Sequence, residues 1–171
     1  MKKLLTASAM TAALFSAPLA SQAATAPPAQ FQVLLTLLAS CTIDAASNMN
    51  FGTKTETEVN SGNVTAQSQI SVTCSNGTTY DIGLSDTDGD LLMESTTGNS
   101  TVAYELYQDS NRTTVWNNTT SVVSDTGNGN QQDFPVYGKI PSNAATIDAG
   151  ESIDGDTGIN LSDTVTVTVT F

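Results

Sequence analysis

The sequence predicts an all-β domain, and three observations carry that prediction. Beyond the N-terminal segment the dominant residues are Thr, Val, Asn, Ser, Gly and Asp, which disfavour helix interiors and suit strands and turns. The segment "DTVTVTVTF" alternates strictly, with Val165, Val167, Val169 and Phe171 on one side and Thr164, Thr166, Thr168 and Thr170 on the other. That is the pattern of a half-buried strand. Turn-forming clusters punctuate the chain at 60–63, 75–77, 86–90, 125–130 and 148–158, and short strands with such regular punctuation make a β-sandwich.

In chain order, the first element reads as a secretory signal. Lys2 and Lys3 form a basic start, Leu4 to Leu19 is apolar and small, and Ser21-Gln22-Ala23 fits the small-x-small cleavage rule. Removal of residues 1–23 leaves 24–171, the size of one ordinary domain. Neither Leu4–Leu19 nor any later run approaches the length of about 20 apolar residues that a membrane span needs, so the expected product is soluble and exported. It keeps Lys54, Arg112 and Lys139 against seventeen acids, a formal charge of 3 − 17 = −14. A surface of that sign repels phosphate backbones and anionic lipid, which argues against nucleic acid and membrane surfaces as partners.

After Pro27 and Pro28, which favour an extended start, comes "AQFQVLLTLLASC", the most apolar stretch of the exported chain. Here Phe31, Val33, Leu35 and Leu37 alternate with Gln30, Gln32, Leu34 and Thr36, so one face is fully apolar. The spacing predicts a strand, and an apolar strand must add to a sheet. Cys41 and Cys74 are the two cysteines of a chain bound for an oxidising compartment, which predicts one intramolecular disulfide. A metal or redox pair has no support, because His is absent and the spacing is not CxxC.

Four further strands follow from alternation. "QSQISVTC" sets Ile70, Val72 and Cys74 on one face, and "TYDIGLS" does the same with Tyr80, Ile82 and Leu84. "TVAYELYQD" sets Val102, Tyr104 and Leu106 against Ala103, Glu105 and Tyr107, and "FPVYGKIP" aligns Phe134, Val136, Gly138 and Ile140.

Little in the chain points to chemistry. Asp86, Asp88 and Asp90 in "SDTDGD" alternate as calcium ligands do, but Gly89 precedes the third acid and the twelfth position is Thr97, so the EF-hand pattern fails. Asp148, Glu151, Asp154 and Asp156 form a second acidic stretch, read as a surface loop. Without His or a free thiol the usual nucleophile–base pairs cannot be built, and no pair of acids is singled out for glycoside chemistry. The expectation is a non-enzyme without cofactor or metal. Trp116 and Tyr80, Tyr104, Tyr107 and Tyr137 fit core or interface packing better than a sugar platform.

The order of these segments carries a resemblance. An alternating apolar strand, "SCTI", "NFG" at 50–52, "ISVTC", "GTTYDIGLS", "AYELYQD", Trp116, "VYGKIP" and the terminal "SDTVTVTVTF" together resemble the spore coat protein U domain family. That family includes the pilins of archaic (Csu-type) chaperone–usher pili of Gram-negative bacteria. The chain departs from the family at Leu161, where an aromatic is common, and in its Asn- and Gly-rich 125–130 loop.

The resemblance implies an incomplete immunoglobulin-like β-sandwich completed by donor-strand complementation, with residues 24–40 as a donor extension and 41–171 as the pilin domain. It further implies that Phe31, Val33, Leu35 and Leu37 are the donor face, and that Val165, Val167, Val169 and Phe171 form one wall of the acceptor groove. The implied partners are identical or related pilin subunits in a homopolymer, a periplasmic chaperone and an outer-membrane usher. The implied destination is an extracellular pilus reached through the periplasm. The alternatives are a secreted coat protein of a surface layer, and a self-contained carbohydrate-binding sandwich whose N-terminal strand folds back in cis.

Overall fold

The computed structural model describes residues 24–86, 89–151, 153 and 158–171. The signal reading of 1–23 and the acidic positions Asp88, Asp154 and Asp156 lie outside them. Residues 24–36 carry neither strand nor helix and are exposed throughout. The strand expected at Phe31–Leu37 is therefore not formed within the chain, because an apolar strand holds its shape only against a partner edge.

In the unit Leu37–Phe171 the regular secondary structure is almost wholly β, with one short helix. Its elements are β1 (Cys41–Ala46), α1 (Glu56–Asn60), β2 (Thr65–Cys74), β3 (Thr79–Asp86), β4 (Leu92–Ser95), β5 (Thr101–Ala103), β6 (Glu105–Tyr107), β7 (Val123–Thr126), β8 (Gln131–Lys139), β9 (Ala145–Thr146), β10 (Leu161–Ser162) and β11 (Val165–Thr170). Every pairing among these strands is antiparallel. The order is β1-β2-β8-β6 in one sheet, β11-β3-β7 in a second and β10-β4-β5-β9 in a small third. The predicted all-β, immunoglobulin-like sandwich with open antiparallel sheets is what forms.

The inward faces meet in one core. Ile70, Val72, Leu106 and Val136 come from the first sheet, Tyr80, Ile82 and Leu84 from the second, and Val102 from the third. All are the residues that alternation assigns to inner faces, and each aliphatic one so buried contributes about 1.5–3 kcal/mol. Trp116 is 1% exposed, and its Nε1 donates to the Ile82 carbonyl at 2.9 Å, which ties its loop to β3. Its placement agrees with the packing role. Cys41 and Cys74 stand opposite one another in the β1–β2 register and are joined in the expected disulfide.

One segment departs from its expectation. "TVAYELYQD" reads as a single strand, yet the chain changes sheets at Tyr104: β5 pairs with β4 and β9, and β6 pairs with β8. Val102, Tyr104 and Leu106 stay inward across the switch, since alternation reports the face a residue takes and not the strand it pairs with. Tyr107, expected outward beside Glu105, is only 8% exposed because Tyr137 stands opposite it and Val115 bridges to it.

Candidate functional site

β1 is an edge strand of one sheet and β11 an edge strand of another, each without a second neighbour there among the described residues. A cleft of about 620 Å³ lies between β11 and the end of β1, which it meets at Ala46 and the loop that follows. Its floor is apolar, made by Ile70, Leu84, Leu106 and Val136. The loop after β1 supplies Met49 and Phe51 to its wall, and β11 supplies Val165 and Val167. The sandwich is thus open to solvent where one more strand would close it.

β11 presents this face because of its alternation. Val165, Val167 and Val169 are half-buried and turned toward the core, while Thr166, Thr168 and Thr170 are exposed. Val167 stands opposite Leu84 and Val169 opposite Ile82. The cleft extends along Val165 and Val167 but not Val169, and at the Val169 end the core is already filled by Val72, Cys74 and Ile82, each 0% exposed. Phe171 follows the last strand residue and is 61% exposed. Of the residues singled out from the sequence, the fold brings Cys41 to Cys74 and places the three valines on one face. Phe31, Val33, Leu35 and Leu37 are 82–87% exposed and belong to no sheet.

The turn between β10 and β11 is fixed by a buried hydroxyl. Tyr104, 6% exposed, donates from its OH to Asp163 Oδ2 at 2.6 Å. Burial first, and then this bond to Asp163, push the phenol far above its ordinary value, so it stays a neutral donor. Met49, Phe51 and the Tyr104–Asp163 pair were not legible as groove residues. The one signal in the sequence is Gly138, a residue without a side chain at an inward position of "VYGKIP".

Two of the described acids in these stretches, Asp86 and Glu151, are engaged by backbone and hydroxyl donors. Asp86 accepts hydrogen bonds from the backbone N–H groups of Gly89, Asp90 and Leu91, as expected of a solvated turn. Glu151 accepts from the Ser95 and Thr97 hydroxyls and from the Ser100 N–H at 2.8 Å. Hydrogen bonds from Ser100 and Ser95 hold its carboxyl down at about 2. No helix among the described residues is long and apolar enough to cross a membrane.

Comparisons with known proteins place the chain in a family. The sequence profile of the Spore Coat Protein U domain matches residues 28–168. The chain belongs to the Spore Coat Protein U domain family. The Spore Coat Protein U match begins at Pro28 and ends at Thr168, so it takes in both the alternating segment Phe31–Leu37 and most of β11.

Among solved structures, the chain is similar to one chain of the CsuC–CsuE chaperone–tip adhesion subunit pre-assembly complex, from the archaic chaperone–usher Csu pili of Acinetobacter baumannii. The identity is 25% and the TM-score 0.53, over 80% of this chain and 41% of that one. The Spore Coat Protein U chain thus spans about two fifths of the length of that relative. No curated protein matches it.

Proposed function

We propose that this Spore Coat Protein U protein is a structural subunit of an archaic chaperone–usher pilus, polymerising by donor-strand exchange and supporting surface adhesion and biofilm formation. One observation carries the reading: a cleft with an apolar floor lies between the open edge of β11 and the end of β1, in a chain that also bears an exposed, alternating apolar segment. The cleft lacks a strand, and residues 29–37 have the composition of one. With Phe31, Val33, Leu35 and Leu37 in the cleft of a second copy, backbone pairing along β1 and β11 supplies affinity and the alternate side chains supply specificity.

Four buried apolar side chains at about 1.5–3 kcal/mol each set an upper limit of about 6–12 kcal/mol per junction before ordering costs. Such a contact is head-to-tail and does not close on itself, so it builds a filament. Before assembly the open cleft is an aggregation hazard, which gives a periplasmic chaperone its role; an outer-membrane usher then carries the subunits to the cell surface. The Cys41–Cys74 disulfide suits a fold that matures in an oxidising compartment. The self-contained sandwich would instead use residues 29–37 as a strand in cis.

Surface material from the native cell tests the proposal directly. Donor-strand polymers should run on SDS gels as a ladder that collapses to one band only after heating. A single subunit band from unheated material would refute the filament.

A further inference from the structure

The loop between β1 and α1 enters the core at one place. Ser47 anchors its start, donating from its N–H to the Gln69 carbonyl at 2.9 Å and accepting the Gln69 N–H on its hydroxyl at 2.9 Å. An Asn50–Gly52 turn forms the second anchor, where Asn50 Oδ1 accepts the Gly52 N–H at 2.7 Å and Gly52 takes φ +74°, a left-handed conformation that favours glycine. Between these anchors Met49 and Phe51 turn inward and pack against the core, and Phe51 lies 6.4 Å from the Tyr104 ring.

Both side chains rest on a depression in the first sheet. Gly138 of β8 stands opposite Ala66 of β2, so two neighbouring positions have almost no side chain. A Cβ at Gly138 would come within 2.2 Å of Met49 Sδ and 2.9 Å of Phe51 Cζ. A side chain here would have to displace the ends of Met49 and Phe51. Met49 and Phe51 also line the cleft, so the contents of this depression set the width of the cleft at that point.

We propose that Met49 and Phe51, seated over Gly138, form the size-selecting wall of the groove and determine which apolar side chain residues 29–37 of a second copy can place against it. This rests on the donor-strand reading and specifies the partner's fit at one position. Phe31, Val33 and the two leucines Leu35 and Leu37 span three sizes, and a wall of given depth accepts one size in preference to another. Met49, unbranched and flexible, is the adjustable part of that wall.

The test uses the mature chain carrying Leu35→Asp, so that its own segment cannot fill a neighbour's cleft, and synthetic peptides of residues 29–39. Each of the four inward positions is varied in turn among Ala, Leu and Phe, and affinities are measured by calorimetry. In a Met49→Ala background, the preference at one position should move toward the larger residue by about tenfold or more, with the other three unchanged. Gly138→Ala should push Met49 into the cleft and move the preference at that same position toward the smaller residue. It also serves should Met49→Ala fail to fold, as judged by Trp116 emission.

Preferences that stay fixed at all four positions, or weaken equally at all four, would overturn the proposal and leave the donor-strand reading intact. Failure of the unaltered peptide to bind the unaltered groove would overturn both.

Discussion

Replacing Leu35 by Asp separates assembly from folding. In the subunit Leu35 is 82% exposed and lies in no strand, so the change removes no core contact and should alter stability by no more than about 0.5 kcal/mol. At a junction the same side chain would meet the floor of Ile70, Leu84, Leu106 and Val136. Losing the buried leucine removes about 1.5–3 kcal/mol, and desolvating an unpaired carboxylate costs about 1–3 kcal/mol or more in addition. A combined loss of about 4 kcal/mol lowers each junction constant about a thousandfold, at about 1.4 kcal/mol per factor of ten. Co-expressed with its chaperone, the variant should elute from size exclusion as a one-to-one complex that never elongates and gives no SDS-resistant ladder. The reasoning fails if the variant is degraded even with chaperone present while the wild type purifies as a stable monomer, because Leu35 would then belong to its own core. Ladders of wild-type length from the variant would refute it equally.

Other perturbations probe the remaining parts. Val167→Asp, on the inward face of β11, should abolish the ladder, whereas Thr166→Asp, exposed on the opposite face, should leave it intact; equal effects would mean that the β11 face is not used. Cys41→Ser should free the Cys74 thiol and destabilise the subunit by about 2–5 kcal/mol, read as a lower melting temperature and periplasmic level, and unchanged melting would show the bond to be dispensable. The Glu151 carboxyl is depressed from 4.5 to about 2, so its stabilising contribution is present above pH 4.5 and is lost as pH falls through about 2. Glu151→Gln should flatten the acid limb of the melting curve across that window, and an unchanged limb would remove Glu151 from the account.

Alternation made the inner faces of β2, β3, β8 and β11 legible, because each buries one side and its apolar residues recur at every second position. β1 was not legible: "CTIDAA" is exposed at five of its six positions, and a strand with so little buried carries no pattern. The switch at Tyr104 was hidden for the opposite reason, since the pattern continues unbroken while the partner changes. The groove's valines were readable from the sequence, but its Met49–Phe51 wall was not. Those two side chains belong to a loop, and only the missing side chain of Gly138, on a strand far along the chain, marks where they sit.

The disulfide has a mechanical consequence. Ser40 is held to Ser75, its carbonyl accepting the Ser75 N–H at 2.8 Å, and the next residue is covalently joined to Cys74 at the end of β2. Tension arriving through an N-terminal segment docked in another subunit would therefore not peel β1 away from its sheet, one hydrogen bond at a time. It would pass through the sulfur bridge into β2, which is paired with β8 from Thr65–Lys139 to Thr73–Gln131. Loaded along its length, that ladder must slide with many bonds strained together. Tension entering through the N-terminal segment would thus reach β2 without first unzipping a weakly packed β1.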